Sequence, residues 1–279
     1  MNARTPIGLL ELLLESVQST DSSPDFGSSH EDAICDEAGC REDRERVVLV
    51  DPAEAPELVD VSAKAAKATY SSGSLKGKLK RTLYPRNVLR RRQVVIGLHQ
   101  MGVELRTTWP SWWKVTAHYV VRPDGSIAKV HPVDVRLVST NRVDRSPYAC
   151  IAIEFAGNFE GLEGSGNWAW PDRNGRGRLG LQQERSGRWL VRRICVEVDN
   201  VGGEVVGIVP HCTTGRDEHG RPNRQICPGS AIWSRVGERS AAELGLAVPG
   251  PTWKAGGIVI PESWHGAHWG QVSRYLPNV

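Results

Sequence analysis

The chain has 279 residues, enough for one large domain or one domain with appendages, and its 39% hydrophobic content is somewhat low for a fully packed protein. Its formal net charge of +3 says little by itself. No apolar run approaches the ~18 residues of a membrane-crossing helix, so no membrane span is expected. The 6 cysteines form neither a CxxC pair nor a secreted disulfide pattern, and 29 glycines with 17 prolines make much of the chain loop.

Residues 1–17 place Leu9, Leu10, Leu13, Leu14 and Val17 on one side of an amphipathic helix. Glu11 and Glu15 interrupt the apolar stretch and no small-residue cleavage site follows, which argues against a Sec signal peptide. The helix is expected to dock on a carrier protein or on the domain itself. Residues 18–60 read as mostly flexible linker, with 11 acidic residues against 3 arginines between Glu31 and Asp60. From Val61 to Arg106 the balance inverts to 11 Lys/Arg against the single acid Glu104. A basic patch of this kind suits nucleic acid, a membrane surface or an anionic wall polymer, or it is a solvated linker. Tyr84 is the one aromatic residue near Lys76, Lys78, Lys80, Arg81 and Arg90–Arg92. The stacking platform of a single-strand binder is therefore missing, and nucleic acid is not the expected partner.

The organised part is expected to start near Tyr84, after a helix over 61–70. Strand Gln93–His99 leads into a loop with Trp109, Trp112 and Trp113. Residues Thr116–Val121 and Ser126–Val130 flank Arg122-Pro123-Asp124-Gly125 and predict a hairpin. Cys150–Asn158 predicts a strand, apolar but for Glu154. A helix is expected from about Leu179 to Val198, on the helical spacing of its apolar residues. Strand Val205–His211, a Gly/Pro/Asn/Asp-rich loop carrying Cys227, and a helix from Ser230 to Val236 follow. This order divides the chain into residues 1–83 (helix and acidic/basic linker), 84–236 (the catalytic-type domain) and 237–279 (a Trp/Pro/Gly-rich, loop-rich tail). Strands alternating with helices imply an α/β domain with a central mixed sheet flanked by helices.

Chemistry concentrates at four residues. His99 and His211 each close a strand of β-branched residues, and Cys227 lies in a Cys-Pro-Gly turn. Two imidazoles and a thiolate make a three-ligand zinc site with a fourth position left open. Glu154 sits inside Ile-Ala-Ile-Glu-Phe-Ala, where burial raises a carboxyl toward neutrality unless an arginine pairs with it. Such a group suits a general base. Cys150 and Cys195, within apolar segments, read as small buried hydrophobes.

These segments resemble a family. Val94-Val95-Ile96-Gly97-Leu98-His99, Ala117-His118-Tyr119-Val120-Val121-Arg122-Pro123-Asp124-Gly125, Ile153-Glu154-Phe155-Ala156-Gly157-Asn158, and Val209-Pro210-His211 with Arg224-Gln225-Ile226-Cys227-Pro228-Gly229-Ser230 occur in one order. Over about residues 90–236 they are similar to the zinc-dependent type-2 N-acetylmuramoyl-L-alanine amidases, relatives of the peptidoglycan recognition proteins. The resemblance implies that His99, His211 and Cys227 hold Zn2+ beneath a groove for a peptidoglycan strand or muropeptide. It implies that Glu154 takes a proton from the attacking water while the bond between N-acetylmuramic acid and L-alanine is hydrolysed. Ala117 stands where another branch of the family has a tyrosine, and His118 is then a structural hairpin residue. Gln225 stands where a lysine often helps the oxyanion, so Arg224 and Gln225 are the candidates for that role. Asn158 and the 168–178 loop are expected to line the groove, and Trp109, Trp112 and Trp113 either stack on sugars or plug the core. The alternative is a non-catalytic muropeptide-binding module of the same fold. An enzyme of this kind without a Sec signal reaches the wall by release or delivery along another route, or acts on cytoplasmic muropeptides.

Overall fold

The computed structural model describes residues 55–63, 82–83, 93–101, 117–136, 148–168, 176–214, 226–253 and 257–277. The chain divides into two units, 1–45 and 46–279, and all described residues belong to the second. The amphipathic helix expected over 1–17, its carrier docking, the basic stretch from Lys76 to Arg92 apart from Thr82 and Leu83, and Trp109, Trp112 and Trp113 lie outside the described residues.

The fold is α/β around a mixed sheet. Among the described residues six strands form it: β1 (Leu58–Asp60), β3 (Gln93–Gln100), β4 (Tyr119–Val121), β5 (Ile127–Lys129), β7 (Ala149–Phe155) and β8 (Glu204–Pro210). Their spatial order is β1-β5-β4-β7-β3-β8. Within this sheet, among the described residues, only β4 and β5, the two arms of the expected hairpin, pair antiparallel. β1 lies within the stretch read as linker and adds a parallel edge strand beside β5. Two residues of β2 (Thr82–Leu83) pair with β6 (Val135–Arg136) in a separate ribbon. At the hairpin turn the Asp124 carboxylate accepts from the Ser126 N–H at 2.9 Å and from its hydroxyl at 2.6 Å, the local bonding that favours Asp in turns.

Strand alternation gives the sheet two unlike faces. Val94, Ile96 and Leu98 of β3 and Ile151, Ile153 and Phe155 of β7 enter the main core. There they meet Leu190, Val191, Ile194 and Val198 of α1 (Leu181–Asp199). Each such side chain contributes about 1.5–3 kcal/mol on burial. Gln183 of α1 is also buried, and its amide donates to the carbonyls of Val121 and Ala156, each at 3.1 Å, which fixes the helix to the ends of β4 and β7. The opposite face carries Val95, Gly97 and His99 of β3 and Cys150, Ala152 and Glu154 of β7. Small residues leave room there for the two polar side chains.

The helix expected to end at Val236 runs further. It begins at Ser230–Ile232, widens to a π turn over Trp233–Glu238, and resumes as α-helix over Arg239–Leu244 before Gly245. Ser240 and Ala241 face the core, so the segment has packing reasons to remain helical past Val236. The chain after it returns to the sheet. β9 (Val248–Pro249) pairs with β10 (Tyr275–Leu276), and Ala247 bridges to Gly207 beside β8. Trp253 and Trp264 are buried.

Candidate metal centre

β3 and β8 lie side by side and run parallel, with Leu98 opposite Pro210. The next residue in the chain after each is a histidine, so both imidazoles leave the sheet at its carboxyl edge, where parallel α/β sheets commonly build their sites. Their ring centroids are 4.3 Å apart and their planes meet at 39°. His211 opens a 3-10 turn, His211–Thr213, held by the Thr213 hydroxyl on the Pro210 carbonyl at 2.9 Å and the Thr214 hydroxyl on the His211 carbonyl at 2.9 Å.

Cys227 arrives from the following loop. Its carbonyl accepts from the Cys212 N–H at 2.8 Å, and its sulfur accepts from the Gln100 N–H at 3.3 Å. The loop is fastened to the segment after β7 by the Ser230 N–H on the Gly161 carbonyl at 2.8 Å and the Glu163 N–H on the Ser230 hydroxyl at 2.8 Å. Gly229 is required in that crossing: its φ is +97°, and a Cβ would stand 2.5 Å from the Glu160 carbonyl oxygen. One ligand atom from each of His99, His211 and Cys227 lies within 4.8 Å of the others. His99 and Cys227 are buried and His211 is half-buried. Two nitrogens and one sulfur are the donors of a three-ligand zinc site with an open position, so the residues present fit that ion.

Glu154 pairs with His99 across β3 and β7 and with Val120 across β7 and β4. Partners in a parallel ladder point to one face, so the carboxylate and the imidazole stand one strand spacing apart, about 4.8 Å between backbones. Glu154 is 8% exposed. Its placement in the strand matches the sequence expectation: Ile151, Ile153 and Phe155 face the core, and Glu154 alternates with them onto the other side.

His118 is fully buried, and its Nδ1 accepts from the Ala152 N–H at 2.9 Å while its own N–H donates to the Ala152 carbonyl at 3.0 Å. It extends the β4–β7 ladder, a structural role. Arg224 and Gln225 lie outside the described residues. Asn158 has no exposed surface and so does not line an open groove, unlike the expectation from sequence. Of the 168–178 loop, Trp168 carries the Arg176 guanidinium 5.6 Å from its ring centroid, and residues 169–175 lie outside the described residues. Cys150 is buried, as expected for a small apolar filler, whereas Cys195 is only half-buried at the edge of the core. Burial, and after it the neighbouring Cys227, hold the Cys212 thiol well above its ordinary range.

Three supports of the site have no role assigned from sequence. Gly97 keeps β3 bare beneath the His99 ring. Gln100 joins β3 to the Cys227 loop. The carboxyl-terminal segment clamps the turn after β8: the Trp253 indole N–H and the Gly257 N–H donate to the Thr213 carbonyl at 3.2 and 3.3 Å, and the Ile258 N–H donates to the Cys212 carbonyl at 2.8 Å. The one signal in the sequence was the placement of a glycine and a glutamine inside an otherwise apolar strand.

No protein-family model matches the chain, and no curated protein does. Three solved structures are similar to it. N-acetylmuramoyl-L-alanine amidase LysC from Clostridium intestinale URNW is 15% identical, with a TM-score of 0.40 over 68% of this chain and 99% of that one. The endolysin N-acetylmuramoyl-L-alanine amidase LysCS from the same organism is 15% identical, with a TM-score of 0.40 over 69% of this chain and 97% of that one. The Ph2119 endolysin from Thermus scotoductus MAT2119 bacteriophage Ph2119 is 16% identical, with a TM-score of 0.34 over 68% and 99%. No helix among the described residues is long and apolar enough to cross a membrane.

Proposed function

We propose that the chain is a zinc-dependent hydrolase of peptidoglycan or muropeptides that cuts the amide between N-acetylmuramic acid and L-alanine. The observation that carries this reading is the convergence of His99, His211 and Cys227 within 4.8 Å, with Glu154 in register beside His99. The four ordered motifs supply the substrate class.

His99, His211 and Cys227 would hold the zinc. When bound, the ion supplies Lewis acidity, polarising the scissile carbonyl and making water nucleophilic near neutral pH. The chain's own residues do the rest. The Glu154 carboxylate accepts the proton of the attacking water and returns it to the departing amine of L-alanine, so that the same oxygen serves as base and then acid. Arg224 and Gln225 are assigned, as part of the proposal, to donate to the developing oxyanion.

The test is mass spectrometry of purified peptidoglycan after incubation with zinc-loaded protein. Free stem peptides beginning at L-alanine are expected, and new reducing sugar ends would point to a glycosidase instead. Glu154→Gln keeps the shape of the side chain and removes the base, with an expected loss of about 10²–10⁴ in rate. Activity that survives the substitution refutes the role of Glu154. Binding of muropeptide without any cleavage by the wild type identifies a recognition module.

A further inference from the structure

Gln100 follows His99 and has no exposed surface. On the alternation of β3 it belongs with Val94, Ile96 and Leu98, where an apolar side chain would fill the same space. A buried primary amide is costly unless its hydrogen-bonding groups are satisfied. Here the side-chain oxygen accepts from the Phe159 N–H at 2.8 Å, and the side-chain nitrogen donates to the Phe159 carbonyl at 3.3 Å and to the Pro228 carbonyl at 3.1 Å. The backbone N–H of the same residue donates to the Cys227 sulfur at 3.3 Å. Gln100 thus grips the Cys227 turn twice, at the sulfur and at the next carbonyl. The two bonds to Phe159 anchor that grip on the segment leaving β7.

We propose that Gln100 is a positioning residue for the metal centre, fixing where the Cys227 sulfur stands relative to the two imidazoles. The proposal rests on the reading of His99, His211 and Cys227 as metal ligands. The backbone N–H donated to the sulfur sets the direction from which the sulfur faces the two imidazoles. The bond keeps its direction only while the Cys227-Pro228 turn stays seated against β3. Without the amide, the Pro228 carbonyl and both main-chain groups of Phe159 lose buried partners, and the turn is free to shift. Ligand atoms must be placed to about 0.2 Å, and loss of such outer partners typically weakens metal affinity about 10- to 100-fold.

The experiment titrates the full-length, metal-free protein with Co2+, reading the thiolate-to-cobalt charge-transfer band and the affinity in competition with a chelator. The wild type is expected to show the band; its absence defeats the ligand assignment itself, independently of Gln100. Given the band, Gln100→Met is expected to bind Co2+ about 10- to 100-fold more weakly, with a diminished or shifted band. In a Cys227→Ser background the same substitution should cause no further loss, because Gln100 acts through the sulfur. Unchanged affinity and band in Gln100→Met overturn the proposal, as does an equal loss in both backgrounds. Should Gln100→Met fail to fold, Gln100→Asn retains the amide one methylene short, and the same pair of readouts decides.

Discussion

Gly97 precedes His99 by two residues, so both face the same side of β3. A Cβ built on Gly97 would lie 3.0 Å from the Cys150 sulfur and 3.1 Å from Nε2 of His99. Non-bonded contacts of carbon relax at about 3.5–4.0 Å, so each neighbour would have to retreat by roughly half an ångström. Cys150 is buried inside β7 and has little room to move. The His99 ring, at the end of its strand, is the softer of the two. A displacement of this size exceeds the ~0.2 Å to which metal ligands must be placed. Gly97→Ala is therefore expected to destabilise the metal-free protein by about 1–3 kcal/mol through overpacking. It is also expected to weaken zinc binding by at least about tenfold. Urea unfolding of the metal-free protein measures the first quantity, and competition with a chromophoric chelator the second. Adding Cys150→Ala removes the sulfur contact and should couple favourably with Gly97→Ala, by about 0.5–3 kcal/mol. It leaves the contact with His99, so zinc affinity should stay low while stability recovers. A Gly97→Ala protein that binds zinc as tightly as the wild type would refute the argument that Gly97 is small for the sake of the His99 ring.

Three further outcomes are expected. Trp253→Phe keeps a ring in the core and deletes the indole donor to the Thr213 carbonyl, at a cost of about 0.5–1.5 kcal/mol; chelator competition should show weaker zinc binding as well, because Thr213 shares its turn with His211. Zinc at about 100 times its Kd should stabilise the protein by about 2.7 kcal/mol, a rise in Tm of roughly 5–11 °C, and Cys227→Ser should lose most of this increment in a thermal melt. Burial works to raise the Glu197 carboxyl, but the Tyr119 hydroxyl at 2.6 Å, Lys129 at 2.9 Å and Arg193 at 3.0 Å outweigh it and hold the group below its ordinary 4.5. A carboxylate with a depressed folded-state value contributes stability that is present above pH 4.5 and lost as pH falls through the folded value. Glu197→Gln should therefore be less stable than the wild type at neutral pH and show a shallower decline below pH 4.5 in urea unfolding.

The legible part of this chain was its alternation. In β3 and β7 the core residues Val94, Ile96 and Leu98, and Ile151, Ile153 and Phe155, alternate with Val95, Gly97 and His99, and with Cys150, Ala152 and Glu154. That pattern sets a core face against one of small and polar residues, and it puts both Glu154 and His99 off the core face before any pairing is known. What it cannot state is which strands are neighbours. His99 and His211 are 112 residues apart in the chain, and only the parallel pairing of β3 with β8, Leu98 against Pro210, sets their rings 4.3 Å apart. The carboxyl-terminal segment was illegible for a related reason. Trp253, Gly257 and Ile258 follow neither helical nor strand period, because their work is done by single hydrogen bonds to the carbonyls of Cys212 and Thr213. Gln100 falls between these cases. Its position on the core side of β3 violated the alternation, and a violated pattern inside a buried strand is a question about partners. The partners are the Cys227 turn and Phe159, so the polar residue out of phase with its strand marks where two loops are joined beside Cys227, the proposed third ligand.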